Sequence, residues 1–301
     1  MRPLNRDIQI ISAPSILGLK PTGVEELGAS LLQSGLSQAL HADREIVHVD
    51  TLNNQYSRVR GPLTNVLNPE LIRRFSITLG DVVTKTMADG KFPFILGGDC
   101  SIVIAVAAAL KAQGKYGLYF FDAHADFYSP DKSVTGEVAD MDLAIVTGHG
   151  PDVLTDINNL RPYIDENNVI HIGQRDQEEA LRYEAQDIRD TSIKCFSLRE
   201  IQGQHLDSAV KKIHAHARET AVDGFWIHFD TDVLADEINP AVDYRLPGGL
   251  QFQEVEYIMR SLMQSTAVVG IDVTIFNPRL DVEGEISRKI VESLGRTFSA
   301  L

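Results

Sequence analysis

Residues 116–126 read Tyr-Gly-Leu-Tyr-Phe-Phe-Asp-Ala-His-Ala-Asp. An apolar run of this kind suits a strand covered on both faces. It ends in three polar residues spaced by two. Side chains on a strand alternate, so Asp122, His124 and Asp126 are predicted to face one way. Residues 224–232, Gly-Phe-Trp-Ile-His-Phe-Asp-Thr-Asp, repeat the pattern with Asp230 and Asp232. Four carboxylates and an imidazole converging at two strand ends would repel or change protonation unless positive charge lay between them. A pair of divalent cations is the simplest source. His228, also in the second run, has two readings: a group at the metal pocket that can hold a ligand from behind, or a core histidine paired with backbone.

Similar apolar runs recur at Ile8–Ser12, Glu45–Val49, Phe92–Leu96, Val169–Ile172, Lys194–Ser197 and Ala267–Val273. Helical patterns separate many of them: Val24–Ser34, Glu70–Ala88, Ser101–Gln113, Asp207–Thr220, Gln253–Gln264 and Gly284–Phe298. Alternation of this kind predicts an α/β protein with a mostly parallel, doubly wound sheet. No tandem repeat or Pro/Gly-rich linker divides the chain, so 1–301 reads as one domain. The long irregular zone from Tyr128 to Gly150 follows a strand end, where open α/β sheets bind ligands, and is expected to line a substrate pocket.

The formal net charge is −14 and the pI about 5.0. Such a surface repels nucleic acid and anionic membrane, so neither is an expected partner. The apolar helical run Ile102–Leu110 is nine residues long, too short for a bilayer. Two cysteines, Cys100 and Cys195, make no disulfide framework, and the first residues read as a strand instead of a signal peptide. A cytoplasmic protein with reduced thiols is expected.

Gly97-Gly98-Asp99-Cys100-Ser101 joins an apolar strand to an apolar helix. The glycines allow a turn with positive φ, and Ser101 can cap the helix. A thiol at this turn can serve as metal ligand or nucleophile.

Together these motifs resemble the arginase/agmatinase/formiminoglutamase family, the ureohydrolases, over nearly the whole chain. Ser12-Ala-Pro with Gly23-Val24-Glu25, the GGDCS turn (GGDHS in the family), DAHAD, HFDTDVL, Asn239-Pro-Ala, Pro247-Gly-Gly-Leu250 and Gly270–Pro278 occur in the family's order. The resemblance implies a three-layer α/β/α fold, a homo-oligomer (trimer or hexamer), and two Mn²⁺ ions bridged by a hydroxide that attacks a guanidine or amidine carbon. It implies that Asp122 and Asp230 bridge the metals, that His124 and Asp232 complete one site, and that Asp126 and Cys100 complete the other. Asp126, with His124 beside it, is then the catalytic group that orients the nucleophile and hands its proton to the leaving nitrogen.

Three positions depart from the family pattern. Cys100 stands where histidine is usual. Thiolate is a soft donor and Mn²⁺ a hard ion, so this position is expected to bind weakly, take a softer metal or stay empty. Some relatives acting on hydroxylated arginine share the change. Ile275 stands where arginases and agmatinases carry a glutamate facing the guanidinium. Burying an uncompensated guanidinium beside isoleucine is costly, so a neutral or less basic group, such as a hydroxyguanidine, acylguanidine or formimino group, is expected. In the loop after DAHAD, Ala139 falls near the family's proton-shuttling histidine, and His149 lies ten residues on. Glu137, Asp140, Asp142 and Glu178 are acidic candidates for gripping a substrate amine, against a solvated acidic loop.

The expected function is metal-dependent hydrolysis of a linear, non-peptide C–N bond in a guanidino, hydroxyguanidino or formimino compound. Two alternatives remain open: Cys100 as a covalent nucleophile with His124 or His228 as base, and a non-catalytic metal-binding or regulatory protein on the same scaffold.

Overall fold

The computed structural model describes residues 7–42, 44–203 and 205–299. Eight strands form one sheet: β1 (Ile8–Ser12), β2 (Val47–His48), β3 (Phe92–Leu96), β4 (Tyr116–Phe121), β5 (Val169–Ile172), β6 (Lys194–Phe196), β7 (Gly224–Asp230) and β8 (Val268–Thr274). Their order is β2-β1-β3-β8-β7-β4-β5-β6, and every neighbouring pair is parallel. Parallel strands need crossovers, and helices on both faces supply them.

Strand alternation sorts the core into two layers. From β4, Tyr119 and Phe121 join one buried cluster while Leu118 and Phe120 join the other. The first layer packs under the helices Leu27–Gln33, Leu206–Glu219, Phe252–Ser265 and Glu285–Ser299. The second packs under Pro69–Ala88, Val103–Lys111 and the short helix Asp142–Val146. The predicted three-layer α/β/α architecture is therefore the observed one, with an all-parallel sheet. The expected strand Glu45–Val49 shortens to Val47–His48, an edge strand paired with β1 alone.

Winding places the functional motifs. After β3 the chain crosses β8 and β7 to reach β4. The carboxyl ends of β3, β8, β7 and β4 thus stand side by side, and the segments after them share one crevice. Gly98 shows how tightly these segments pack. It has no positive φ, contrary to the expected turn. Instead, a Cβ there would lie 1.9 Å from the Ser15 carbonyl oxygen, so only glycine lets the two backbones meet. The helix after it is capped by Asp99, not Ser101: the Asp99 carboxylate accepts from the Ser101 amide at 3.0 Å and the Gly18 amide at 3.2 Å.

Candidate metal centre

The chemistry-bearing residues do converge, though not by strand alternation. β4 ends at Phe121, and residues 122–126 leave the sheet as irregular backbone. Asp122 turns back to accept from the His124 amide at 2.6 Å, and Asp126 takes a left-handed φ of 46°. Aspartate tolerates that region better than most residues. Asp230 closes β7 and accepts from the Asp232 amide at 2.9 Å, which winds Thr231–Val233 into a single 3₁₀ turn. Loop hydrogen bonds replace pleat geometry in aiming the side chains.

Three overlapping groups could hold a cation. Asp122, His124 and Asp126 form one; Asp122, His228 and Asp230 form another; Cys100, Asp126 and Asp142 form the third. Within each, the potential ligand atoms lie within 4.8 Å of one another. Asp232 joins through His124, whose Nδ1 lies 2.8 Å from its carboxylate. The Asp232 carboxylate also accepts from the Ala123 amide at 3.1 Å, tying the β4 and β7 loops together.

Burial governs the electrostatics. It pushes the carboxyls of Asp126 and Asp230 well above the usual carboxylate range, helped by Asp122 for the first and Asp232 for the second. Asp142 is likewise raised well above that range, chiefly by burial. Burial and then Asp232 lift Asp122 to about 6. Asp232 is held low despite burial, because His124 and then Arg175 attract its charge. Arg175 also donates to the backbone carbonyls of Asp232 (2.7 Å) and Leu234 (3.2 Å), fixing this turn. Repelling buried carboxyls of this kind recover their charge when a cation arrives. The donor set suits one: Asp122 Oδ2, His228 Nε2 and both oxygens of Asp142 are buried and lack hydrogen-bond partners among the described residues.

His228 is held from behind. Its Nδ1 bonds Asp272, which also accepts from Trp226 Nε1 at 2.6 Å. Of its two readings, the backbone-paired core histidine is set aside: its partner is a carboxylate and its Nε2 faces Asp122 and Asp230. Asp272 was not singled out in the sequence. Its signal was a lone carboxylate inside the apolar run of β8, in register with His228. His171 was also passed over; its Nε2 donates to the His124 carbonyl at 2.7 Å.

Above the cluster opens a cavity of about 350 Å³. Cys100, His124, Asp126, Asp230 and Asp232 lie at its base with Ile275. Ile275 has φ 71°, rare for a β-branched residue and a strain of about 1–3 kcal/mol, with its amide bonded to the Gly98 carbonyl. The walls are acidic and aromatic: Glu137, Asp140, Asp176, Glu179 and Asp243 with Tyr128, Tyr183 and Tyr244. Glu137 is buried, accepts from the Tyr244 hydroxyl at 2.6 Å and has Lys20 Nζ at 3.5 Å.

Two of the acidic candidates for a substrate amine are displaced. Glu178 is exposed and does not line the cavity, whereas Asp176 and Glu179 do. The segment is helical over Gln177–Arg182, so Asp176, Glu179 and Tyr183 share a face and Glu178 turns away. Asp142 is fully buried beneath the base, against Cys100 and Asp126, and does not reach the cavity. The helix Asp142–Val146, not foreseen in the long loop, puts it there; the Ala144 amide donates to the Asp126 carbonyl at 3.1 Å.

A family model for the arginase family matches residues 11–299. An arginase from Staphylococcus aureus is 28% identical over 300 residues, covering 97% of this chain and 96% of that protein. The structure of an arginase from Bacillus caldovelox superposes with a TM-score of 0.86 at 25% identity, covering 97% of this chain and 98% of that one. A formimidoylglutamase from Bacillus subtilis, 18% identical, shares the fold with a TM-score of 0.71 over 97% of this chain and 86% of its own. With the family's motifs gathered at one crevice, the chain belongs to the arginase family and is one of its hydrolases.

Proposed function

We propose that this protein hydrolyses a linear C–N bond of a small molecule whose reacting end is a weakly basic guanidine or amidine derivative and whose far end carries an amine. The observation that carries this reading is the set of buried, unpartnered donor atoms of Asp122, His228 and Asp142, packed beneath an acidic cavity whose floor is lined by His124, Asp126, Asp230 and Asp232. In it, Asp122 and Asp230 would help hold two divalent ions, Mn²⁺ by family analogy. His124 and Asp232 complete one side. Asp126 lies on the other, where both Cys100 and Asp142 stand within reach. When bound, such ions supply Lewis acidity and a water acidic enough to lose a proton near neutral pH.

The remaining work falls to the chain's own groups. Asp126 lines the cavity from the floor, where it can orient the attacking water and carry its proton to the leaving nitrogen. His124 and Asp232 fix the opposite side. Ile275 presents a methyl-bearing surface to the reacting carbon, favouring a neutral hydroxyguanidine, acylguanidine or formimino group over a guanidinium. Glu179, Asp176 and Glu137 give the walls the charge that an ammonium group seeks. The covalent reading of Cys100 gains no support: its thiol is buried, is pushed well above its usual range, and faces Asp142 and Asp126.

The test is turnover of a panel of guanidino, hydroxyguanidino, acylguanidino and formimino amines by protein reconstituted separately with Mn²⁺, Fe²⁺, Co²⁺ and Zn²⁺. Turnover of at least one weakly basic member, above the rate with arginine, is expected. Metal uptake without turnover anywhere would support a non-catalytic role instead. The same reading carries with it a cytoplasmic homo-oligomer, checked by sedimentation. Among the described residues no helix is long and apolar enough to cross a membrane.

A further inference from the structure

We propose that Asp142, not Cys100, supplies the extra protein ligand to the cation on the Asp126 side. This rests on the two-ion reading above and decides a point it leaves open. Cys100 Sγ is already engaged, donating to the Ala139 carbonyl at 3.3 Å. Asp142 sits next to it, fully buried, with neither carboxylate oxygen hydrogen-bonded among the described residues. One of its oxygens, Cys100 Sγ and an Asp126 oxygen fall within 4.8 Å of one another. A buried carboxylate with only a weak thiol donor beside it is costly unless a cation meets it.

The surrounding backbone holds Asp142 there. The 3₁₀ turn Val138–Asp140 leads directly into its helix. The Ala139 amide is bonded to the Gly18 carbonyl at 3.0 Å, and the Ala144 amide to that of Asp126 at 3.1 Å. Sulfur at position 100 and a carboxylate at position 142 therefore act as one exchange: an oxygen donor from the loop replaces the nitrogen donor missing from the GGDCS turn. The consequence is a hard, oxygen-rich site, which suits Mn²⁺ or Fe²⁺ and removes the reason to expect a softer metal there.

The experiment compares wild type, Asp142→Asn and Cys100→Ser, each stripped and reloaded with Mn²⁺ alone, for ions per chain and affinity. Two ions are expected in wild type and in Cys100→Ser, with affinity changed by less than about threefold. One tightly held ion is expected in Asp142→Asn, the second weakened at least about tenfold, an effect of the size seen when metal-site partners are removed. Cobalt-loaded wild type, read without any variant, should lack a thiolate-to-cobalt charge-transfer band. Two undisturbed ions in Asp142→Asn would overturn the proposal, leaving Asp142 a neutral buried acid. So would a charge-transfer band in wild type that Cys100→Ser abolishes. Failure of wild type to take up any ion would instead overturn the two-ion reading and this proposal with it.

Discussion

The two halves of the cluster, on either side of Asp122 and Asp230, are built on different principles. On one side His124 and Asp232 are paired at 2.8 Å, and Asp232 accepts a backbone amide. Arg175 and His171 pin the surrounding carbonyls. On the other side Cys100, Asp126 and Asp142 lie deeply buried, and Asp142 has only the weak Cys100 thiol donor beside it, with no well-formed hydrogen bond among the described residues. The first half is preorganised by hydrogen bonds. The second gathers a thiol and two carboxyls whose charge a cation would settle.

The largest test of this contrast removes what the halves share. Asp122→Ala or Asp230→Ala should take the metal content from two ions per chain to none, with activity at background, by elemental analysis of the folded variant. Retention of one ion would show that the halves bind independently.

Acid should loosen the His124 half. Burial holds His171 at about 4, since protonating its unpartnered Nδ1 would bury an N–H without an acceptor. The unfolded imidazole titrates near 6.5. Between these values the unfolded chain binds the extra proton, so stability is complete above about pH 6.5 and falls as pH drops through 4. The loss is on the order of 3 kcal/mol. Denaturant melts of the metal-free chain should show it, and His171→Gln should flatten the slope.

Asp272→Asn leaves the ligands in place but weakens the hold on His228. Metal affinity should fall by about 10- to 100-fold, read by competition with a chelating dye; an unchanged affinity would make the Trp226–Asp272–His228 chain a packing feature only. The smallest effects belong to the rim. Glu179→Gln should raise KM for an amine-bearing substrate about three- to fivefold, as for an exposed ion pair, and Glu178→Gln less than about twofold. Equal effects would mean that the Gln177–Arg182 helix does not set which acid meets the substrate.

The sequence on its own determined a good deal. Mostly apolar runs matched β1, β3 and β5 to the residue and β8 to within one, because strands buried on both faces carry few polar residues to blur their limits. Spacing of Asp122, His124, Asp126, Asp230 and Asp232 at two strand ends was enough to point to one candidate cation site. What tertiary structure decided was everything dependent on loop conformation. Strand periodicity stops at Phe121, and hydrogen bonds and a left-handed Asp126 aim the groups thereafter. A one-turn helix at Gln177 exchanged Glu178 for Glu179, and another at Asp142 sent a presumed substrate contact beneath the cavity floor. Asp272 and His171 gained their roles from register with neighbouring strands and from packing across the sheet. Periodicity is a local property of the chain, whereas the partner of a buried polar atom is set by residues far away in sequence.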